Sequence, residues 1–353
     1  MGKAIAKFGA STGSGSSAPG LNIVSFGAVG DGTTDNSTAI QNAINAAMDA
    51  GCELYVPPGN FAFGTTLQIA GPLTLYGLTE SFLQGGWLGA NGKSGSRLTY
   101  TGSGTAINVA CPSNANSVNY RVILRYLSIG TGLSIASSAP PSGTIGIAVN
   151  CEESEFEHLE ISGFDTGIMV THLAISSIHD CQWACNNDHI NVPPNTSFAF
   201  VFIYRNNFFA ASRSGIRLNS GVSIWMRFNY FEACQYSLWV ENSTGFPQLY
   251  TCLFSDNDVN TNTSPGGWLG TAIANGRAIM IESTTTANGV LVETLTIHNN
   301  MLHTDTGGIS VIDVWAHANP NVGVTLDVQL NSLWGGTQGA IYSDCPTCYV
   351  GGR

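Results

Sequence analysis

The sequence predicts an all-β solenoid of stacked parallel coils, closed at its N-terminal end by one α-helix. Three observations predict it. Charged residues make up only 10 % of the 353-residue chain, while glycine alone contributes 42. Low charge with many glycines and β-branched residues favours a solenoid or barrel over a helix-rich enzyme. A short unit recurs from about residue 155 onward. The stretch Leu21 to Phe61 reads as strand, turn, helix and strand in fixed order.

In that stretch residues 22–26 form a short apolar strand, and 27–34 form a Gly/Asp turn. The helix Ser37–Ala50 follows, with Asp35 or Ser37 as N-cap and Gly51 just past its end. Ala39, Ile40, Ala43, Ile44 and Ala47 fall on one stripe. A further strand is closed by Pro57-Pro58-Gly59.

The residues Phe26-Gly27-Ala28-Val29-Gly30-Asp31-Gly32-Thr33-Thr34-Asp35, then Ala39-Ile40, Ala43-Ile44 and Val56-Pro57-Pro58-Gly59-Asn60-Phe61, carry a resemblance. The string resembles the entry segment of right-handed parallel β-helix proteins of the pectate-lyase-like superfamily, of the phage tail-spike and polysaccharide-degrading types. The resemblance implies a right-handed single-stranded parallel β-helix over 21–353, with a cap at 21–61 and regular coils from about 120 to 350. It leaves the reaction open, because hydrolases, lyases, epimerases and tail spikes share this segment. The Asn-Thr-Asp, Asp-Asp, Gly-His and Arg-x-Lys elements of the polygalacturonase branch are missing here, which argues against pectin hydrolysis.

The recurring unit is Asn or another small residue, any residue, a large apolar residue, and then Gly and an aliphatic at a fixed offset. Asn207-x-Phe209 with Gly215-Ile216, Asn229-x-Phe231 with Ser237-Leu238, Asn300-x-Leu302 with Gly308-Ile309, and Asn331-x-Leu333 with Gly339-Ala340 are the best instances. Each unit reads as one turn of a solenoid, and stacking supplies the core that a single turn lacks. Corner asparagines are expected to stack through their side-chain amides. Eight to nine coils at ~4.8 Å each predict a rod on the order of 40 Å. A β-sandwich with even turn spacing is the alternative.

Counting back from the Asn gives columns. Three before it stand Leu159, Ile178, Tyr204, Met226, Phe254, Ile297 and Val328, which point inward. Two before it stand Glu160, His179, Arg205, Arg227, Ser255, His298 and Gln329, which point outward. His158 and Trp225 lie four before it, on that same face. Arginines on adjacent coils beside histidines and a tryptophan suit a sugar, and arginine suits a sugar carboxylate. Glu160, Arg205, Arg227, Trp225 and His158 are therefore the candidate substrate-binding residues. A subunit interface or a Glu160–His179–Arg205 ion-pair ladder is the alternative. Glycoside hydrolysis needs two carboxylates, one of them protonated, and a lyase needs a base and a cation. Asp180, His179, Glu232 and Asp165 are the candidate catalytic residues, with Asp165 and Glu232 three coils apart.

A formal net charge of -11 argues against nucleic acid as a partner. No membrane-spanning run or secretory signal is legible. Residues 1–20 read as a small-residue arm, either a tail or linker, or a segment that orders on a larger assembly. Nine cysteines, an odd number, favour free thiols. Cys345-Pro-Thr-Cys348 has metal or redox spacing without a second ligand pair. No cofactor is implied. The acidic run Glu152-Glu153-Ser154-Glu155-x-Glu157 reads as a solvated loop, with Ca²⁺ binding as the minor alternative.

The resemblance and these readings together lead to the expectation of a tail-spike-like virion protein that binds a bacterial surface polysaccharide, with depolymerisation as an additional activity left open. It would be a homotrimer attached to other tail proteins through the arm. The alternatives are a stand-alone extracellular lyase or hydrolase, and a structural virion component without catalysis.

Overall fold

The computed structural model describes residues 20–78, 95–110, 121–133, 139–242, 249–261, 276–283, 289–304, 311–315, 322–334, 341–345 and 348–351. The arm at 1–19 and the insertion at 262–275 lie outside the described residues. The chain forms a right-handed parallel β-helix with one capping helix. All of its strand pairings are parallel, and each joins a strand to the next coil.

Every coil contributes a strand to each of three sheets. Sheet A contains Leu73–Tyr76, 155–157, 176–179, 201–204, 224–227 and Cys252–Ser255. Sheet B starts at Gly59–Phe63 and ends at Ser332–Trp334. Nine successive pairings make it ten strands deep. Sheet C includes Asp188–Val192, Ser214–Leu218, Tyr236–Asn242, Arg277–Ser283 and Ile312–Trp315. The rod is therefore on the order of 50 Å long at ~4.8 Å per coil. Regular stacking begins near residue 54 rather than 120. The first coils lack the Asn-x-aromatic signature and were invisible to it.

The N-terminal end is closed as the apolar stripe predicts. Helix α1 (Ser37–Ala50) buries Ile40, Ala43, Ile44 and Ala47 in one core with Ile23, Leu54 and Leu75. Each buried isoleucine contributes about 1.5–3 kcal/mol. Gly51 ends the helix at φ 61, as expected. The N-cap position itself belongs to Asn36, which makes no capping bond. Asp35 does that work from one residue earlier, accepting from the Ser37 backbone N–H at 2.9 Å. The predicted strand at 22–26 is mostly a 3-10 turn, Ile23–Phe26, because the Asn22 side chain accepts from Val24 N–H.

The asparagine stack exists at the expected positions except in one coil, where Asn206 takes the place expected for Asn207. Its members are Asn206, Asn229, Asn257, Asn300 and Asn331, each Nδ2 donating to the next Oδ1 at 2.9–3.1 Å. The same amides donate to a backbone carbonyl of the preceding coil. Immediately before each stands a left-handed residue. Arg205, Phe228, Asp256, Asn299 and Leu330, with Asp180 in the same place before Cys181, lie at φ 53–56, a conformation costly for non-glycine residues. The amide stack over-determines the corner and holds it there.

The recurring glycine also has a physical cause. A Cβ on Gly215 would meet Phe231 at 2.8 Å, and one on Gly167 would meet the His189 carbonyl at 2.6 Å. The aromatic of the following coil occupies the space that a side chain would need.

Candidate functional site

Two outer faces carry the chemistry, and the sequence columns map onto them imperfectly. In the coil at 207 the extra residue sits after the corner, not before it. Register then pairs Tyr204, not Arg205, with His179 and Arg227. Tyr204 therefore points outward and Ile203 inward, the reverse of expectation. Arg205 occupies the left-handed corner instead, so the two arginines do not share a column. In the coil at 160 the corner is His158, and Glu157 rather than Glu160 pairs with His179. Glu160 belongs to sheet B, where it is buried beside Ser128. Burial there raises its carboxyl above the ordinary range, opposed by the Ser128 hydrogen bond and Arg97.

Sheet A is a ladder of ion pairs and rings. His179 Nδ1 lies 2.7 Å from Asp180 and its Nε2 lies 3.0 Å from Glu155, while its ring stacks on Tyr204 at 4.6 Å. Arg205 grips Asp180 through two bonds of 2.7 and 2.6 Å. Those bonds hold Asp180 down to about 2 against the cost of its partial burial. Asp180 is thus ionised and cannot act as a general acid at neutral pH. Arg227 pairs with Asp256 at 2.9 Å. Trp225 stacks on Phe202 at 4.5 Å, and His158 on Tyr126 at 4.7 Å. Phe200, Phe202 and Phe228 are exposed on this side.

Glu155, Glu157 and His179 place ligand atoms within 4.8 Å of one another. Arg121 and Arg125 bind the two glutamates, and both histidine nitrogens are engaged. An imidazole does not suit Ca²⁺, which takes oxygen ligands. The trio reads as an ion-pair cluster. The described cysteines are free thiols, and burial pushes Cys181 and Cys234 up to about 12, so they are unreactive.

Sheet C holds what the sequence columns missed. Asp188, wholly buried, accepts from Arg213 Nε at 2.9 Å and from the Ser214 hydroxyl at 2.6 Å. Arg213 also approaches Asp165 at 3.5 Å. Arg217 pairs with Glu241, reaches Asp188 at 3.7 Å, and lies over the Trp239 ring at 4.3 Å. Two coils further, Arg277 pairs with the wholly buried Asp313.

One straight column runs through this face: Asn191, Arg217, Trp239, Met280 and Asp313. Within it Asn191 Oδ1, Trp239 Nε1 and Asp313 Oδ1 are enclosed without a hydrogen-bond partner. Orphaned buried polar atoms are costly. Sheet B has amide orphans as well (Gln182, Asn207, Asn260), but among the described residues only sheet C combines orphans with an arginine-stacked indole.

The four candidate catalytic residues do not form one site. Asp180 and His179 stand on sheet A and its corner. Asp165 and Glu232 stand near the turn from sheet B to sheet C. Asp165 accepts from Gly143 N–H and Asn187 Nδ2. Glu232 accepts from the Tyr230 hydroxyl at 3.1 Å, and burial, with that carboxylate nearby, pushes Tyr230 up to about 12.

A capped parallel β-helix with acid–arginine clusters and rings on its outer faces places the chain among the right-handed parallel β-helix solenoids. Residues 20–245 match the family model for rhamnogalacturonase A/epimerase, pectate lyase-like proteins, and the chain belongs to that family. It is 39 % identical over 67 residues to the tail spike protein of Shigella phage Sf6, covering 17 % of this chain and 11 % of that protein. It is 45 % identical over 65 residues to the exo-poly-alpha-D-galacturonosidase of Dickeya chrysanthemi, covering 18 % of this chain and 10 % of that enzyme. The matched stretch thus spans about a tenth of each curated relative. The tailspike protein of Acinetobacter phage vB_ApiP_P1 has a similar fold, with a TM-score of 0.61 at 13 % identity over 94 % of this chain and 62 % of that one.

Proposed function

We propose that this protein is a tail-spike-like, polysaccharide-active β-helix that binds a bacterial surface polysaccharide along the outer face of sheet C. The observation that carries the reading is the Trp239 ring under Arg217, set in the Arg213–Asp188–Arg217–Glu241 network on the outer face of sheet C. The tail spike and galacturonosidase relatives support the same class. Asp165 and Glu232 border this face three coils apart, about 14 Å, too far to act together as one carboxylate pair if the bound polymer is cleaved. The ion-paired Asp188 is fully enclosed and serves to position Arg213 and Arg217.

Sheet A takes the other role in this reading. Its rings Phe200, Phe202, Trp225 and Phe228, with Arg205, Arg227, His179 and His158, form the contact through which copies associate as a homotrimer on a virion tail. A second reading places the polymer on sheet A, favoured by the exposed Phe202–Trp225 stack. Light scattering together with a glycan panel separates them. The expected result is a trimer that retains polymer, and that falls apart without losing polymer binding when Phe202 and Phe228 become serine. A monomer with no glycan binding contradicts the proposal. Reducing-end release identifies a hydrolase, and ultraviolet absorbance of unsaturated products identifies a lyase.

A further inference from the structure

We infer that Cys345 and Cys348 are a redox staple: they join as a disulfide that closes the last described coil of the solenoid. The inference stands apart from the polysaccharide reading and does not depend on it.

The two ends of the rod are built differently. Helix α1 covers the core at the N-terminal end. At the other end, strands Ile341–Ser343 of sheet C and Cys348–Gly351 of sheet A each pair with one described neighbour. Val350 takes an inward place in register with the buried Leu326, yet it is 41 % exposed. A solenoid coil with one neighbour lacks half of its interface stabilisation and opens first. The corner joining these two strands carries both cysteines.

The backbone brings them together. The Cys348 N–H donates to the Cys345 carbonyl at 3.2 Å. A bond between residues three apart holds their Cα atoms within about 7 Å, the span that a disulfide bridges. Both side chains pack in the same core. Burial raises the Cys348 thiol, the Ser343 hydroxyl opposes that by donating to it, and a like charge on Cys345 adds to the rise. The two sulfurs are therefore within electrostatic reach. Cys181, Cys185, Cys234 and Cys252 are buried, with thiols pushed up to about 12, and none has a cysteine three residues away.

Burial sets the order of events. Cys348 is partly exposed, while Cys345 is 7 % exposed. The Cys348 thiolate attacks a small-molecule disulfide such as oxidised glutathione, forming a mixed disulfide and releasing one glutathione. Cys345 then attacks the Cys348 sulfur, and the second glutathione leaves. Two protein thiols are oxidised to one disulfide, one glutathione disulfide is reduced, and the two thiol protons end on the two glutathiones. A reducing cytoplasm keeps the pair open and an oxidising extracellular medium closes it.

The test uses the full chain, first reduced and then treated with oxidised glutathione. Trypsin releases 278–353, which contains these two cysteines and no other. The expected peptide has lost two hydrogens and carries no glutathione, and dithiothreitol restores it. Cys345→Ser should stop at a glutathione adduct on Cys348, and Cys348→Ser should leave Cys345 about ten-fold less modified. Backbone hydrogen exchange across 341–351 should slow about ten-fold in the oxidised parent. A parent peptide that keeps both thiols, or that takes up two glutathiones, overturns the pair. Equal adducts on the two serine variants overturn the order of attack, and unchanged exchange with the bond formed overturns the staple.

Discussion

Sheets A and C present nearly the same chemistry under opposite solvation. Both carry arginine–carboxylate pairs and tryptophan. On sheet A the Arg205 side chain is 56 % exposed and that of Arg227 44 %. On sheet C Asp188 and Asp313 are at 0 % and Arg277 at 4 %, while Arg217 is 21 % and Arg213 39 % exposed, so the contrast lies in the carboxylates. An exposed pair contributes little to stability, while breaking an enclosed one strands a charge without water. The residue inventory alone does not separate a surface ladder from a built site. Desolvation does, and it points to sheet C.

The largest effect should come from breaking that contrast at Asp188. Asp188→Ala removes the acceptor of the buried Ser214 hydroxyl and leaves Arg213 to Asp165 and Arg217 to Glu241, and should cost about 2–3 kcal/mol in chemical denaturation. Asp180→Ala, the matching cut on sheet A, should cost about 1 kcal/mol or less. Equal costs would erase the distinction between the faces.

An intermediate effect concerns acid. His189 lies under sheet C among Trp183 and Phe208, accepting from the Asn186 amide at 2.9 Å. Burial lowers it from 6.5 to about 3. The folded state therefore binds fewer protons than the unfolded one between those values. Its contribution is complete above pH 6.5 and is lost on acidification, at about 1.4 kcal/mol per pH unit. Asp180, held near 2, adds a loss only below its unfolded value of 3.8. Replacing His189 with leucine should flatten the stability profile between pH 6 and about 4. An unchanged profile would remove His189 from the account.

The smallest stability effect belongs to Arg205→Ala with Arg227→Ala. It should stay within about 1 kcal/mol and leave far-ultraviolet circular dichroism intact. Light scattering should register the change instead, as a shift toward smaller species. An unaltered trimer would remove these arginines from the subunit contact.

The fold was legible because its signals are physical requirements repeated coil after coil. Gly215 leaves room for Phe231 and Gly167 for the backbone of the following coil, and the stacked asparagines bond carbonyls of the preceding one. The site was less legible because a one-residue shift exchanges inside for outside. Asn206 and Asn207 are adjacent and chemically identical, so the pattern settled on the wrong one, and Arg205 fell into a column that belongs to Tyr204. Glu160 was misplaced when Ser162 stood in for the asparagine position, which Leu159 holds one residue after the His158 corner. Arg217 and Trp239 were within reach. Each directly follows the aliphatic of its unit, Ile216 and Leu238, so period-two alternation applied there points both outward. Asp313 was not, since the expected Gly308-Ile309 gives way to Ile312 in the register.

The central claim is that the polymer lies on sheet C. Its most direct test compares binding of the best-retained polymer by Trp239→Ala and by the double variant Phe202→Ala with Trp225→Ala. The account predicts a loss of ten-fold or more for Trp239→Ala and affinity within two-fold of the parent for the sheet A pair. Full binding by Trp239→Ala, with loss in the sheet A pair, would contradict it.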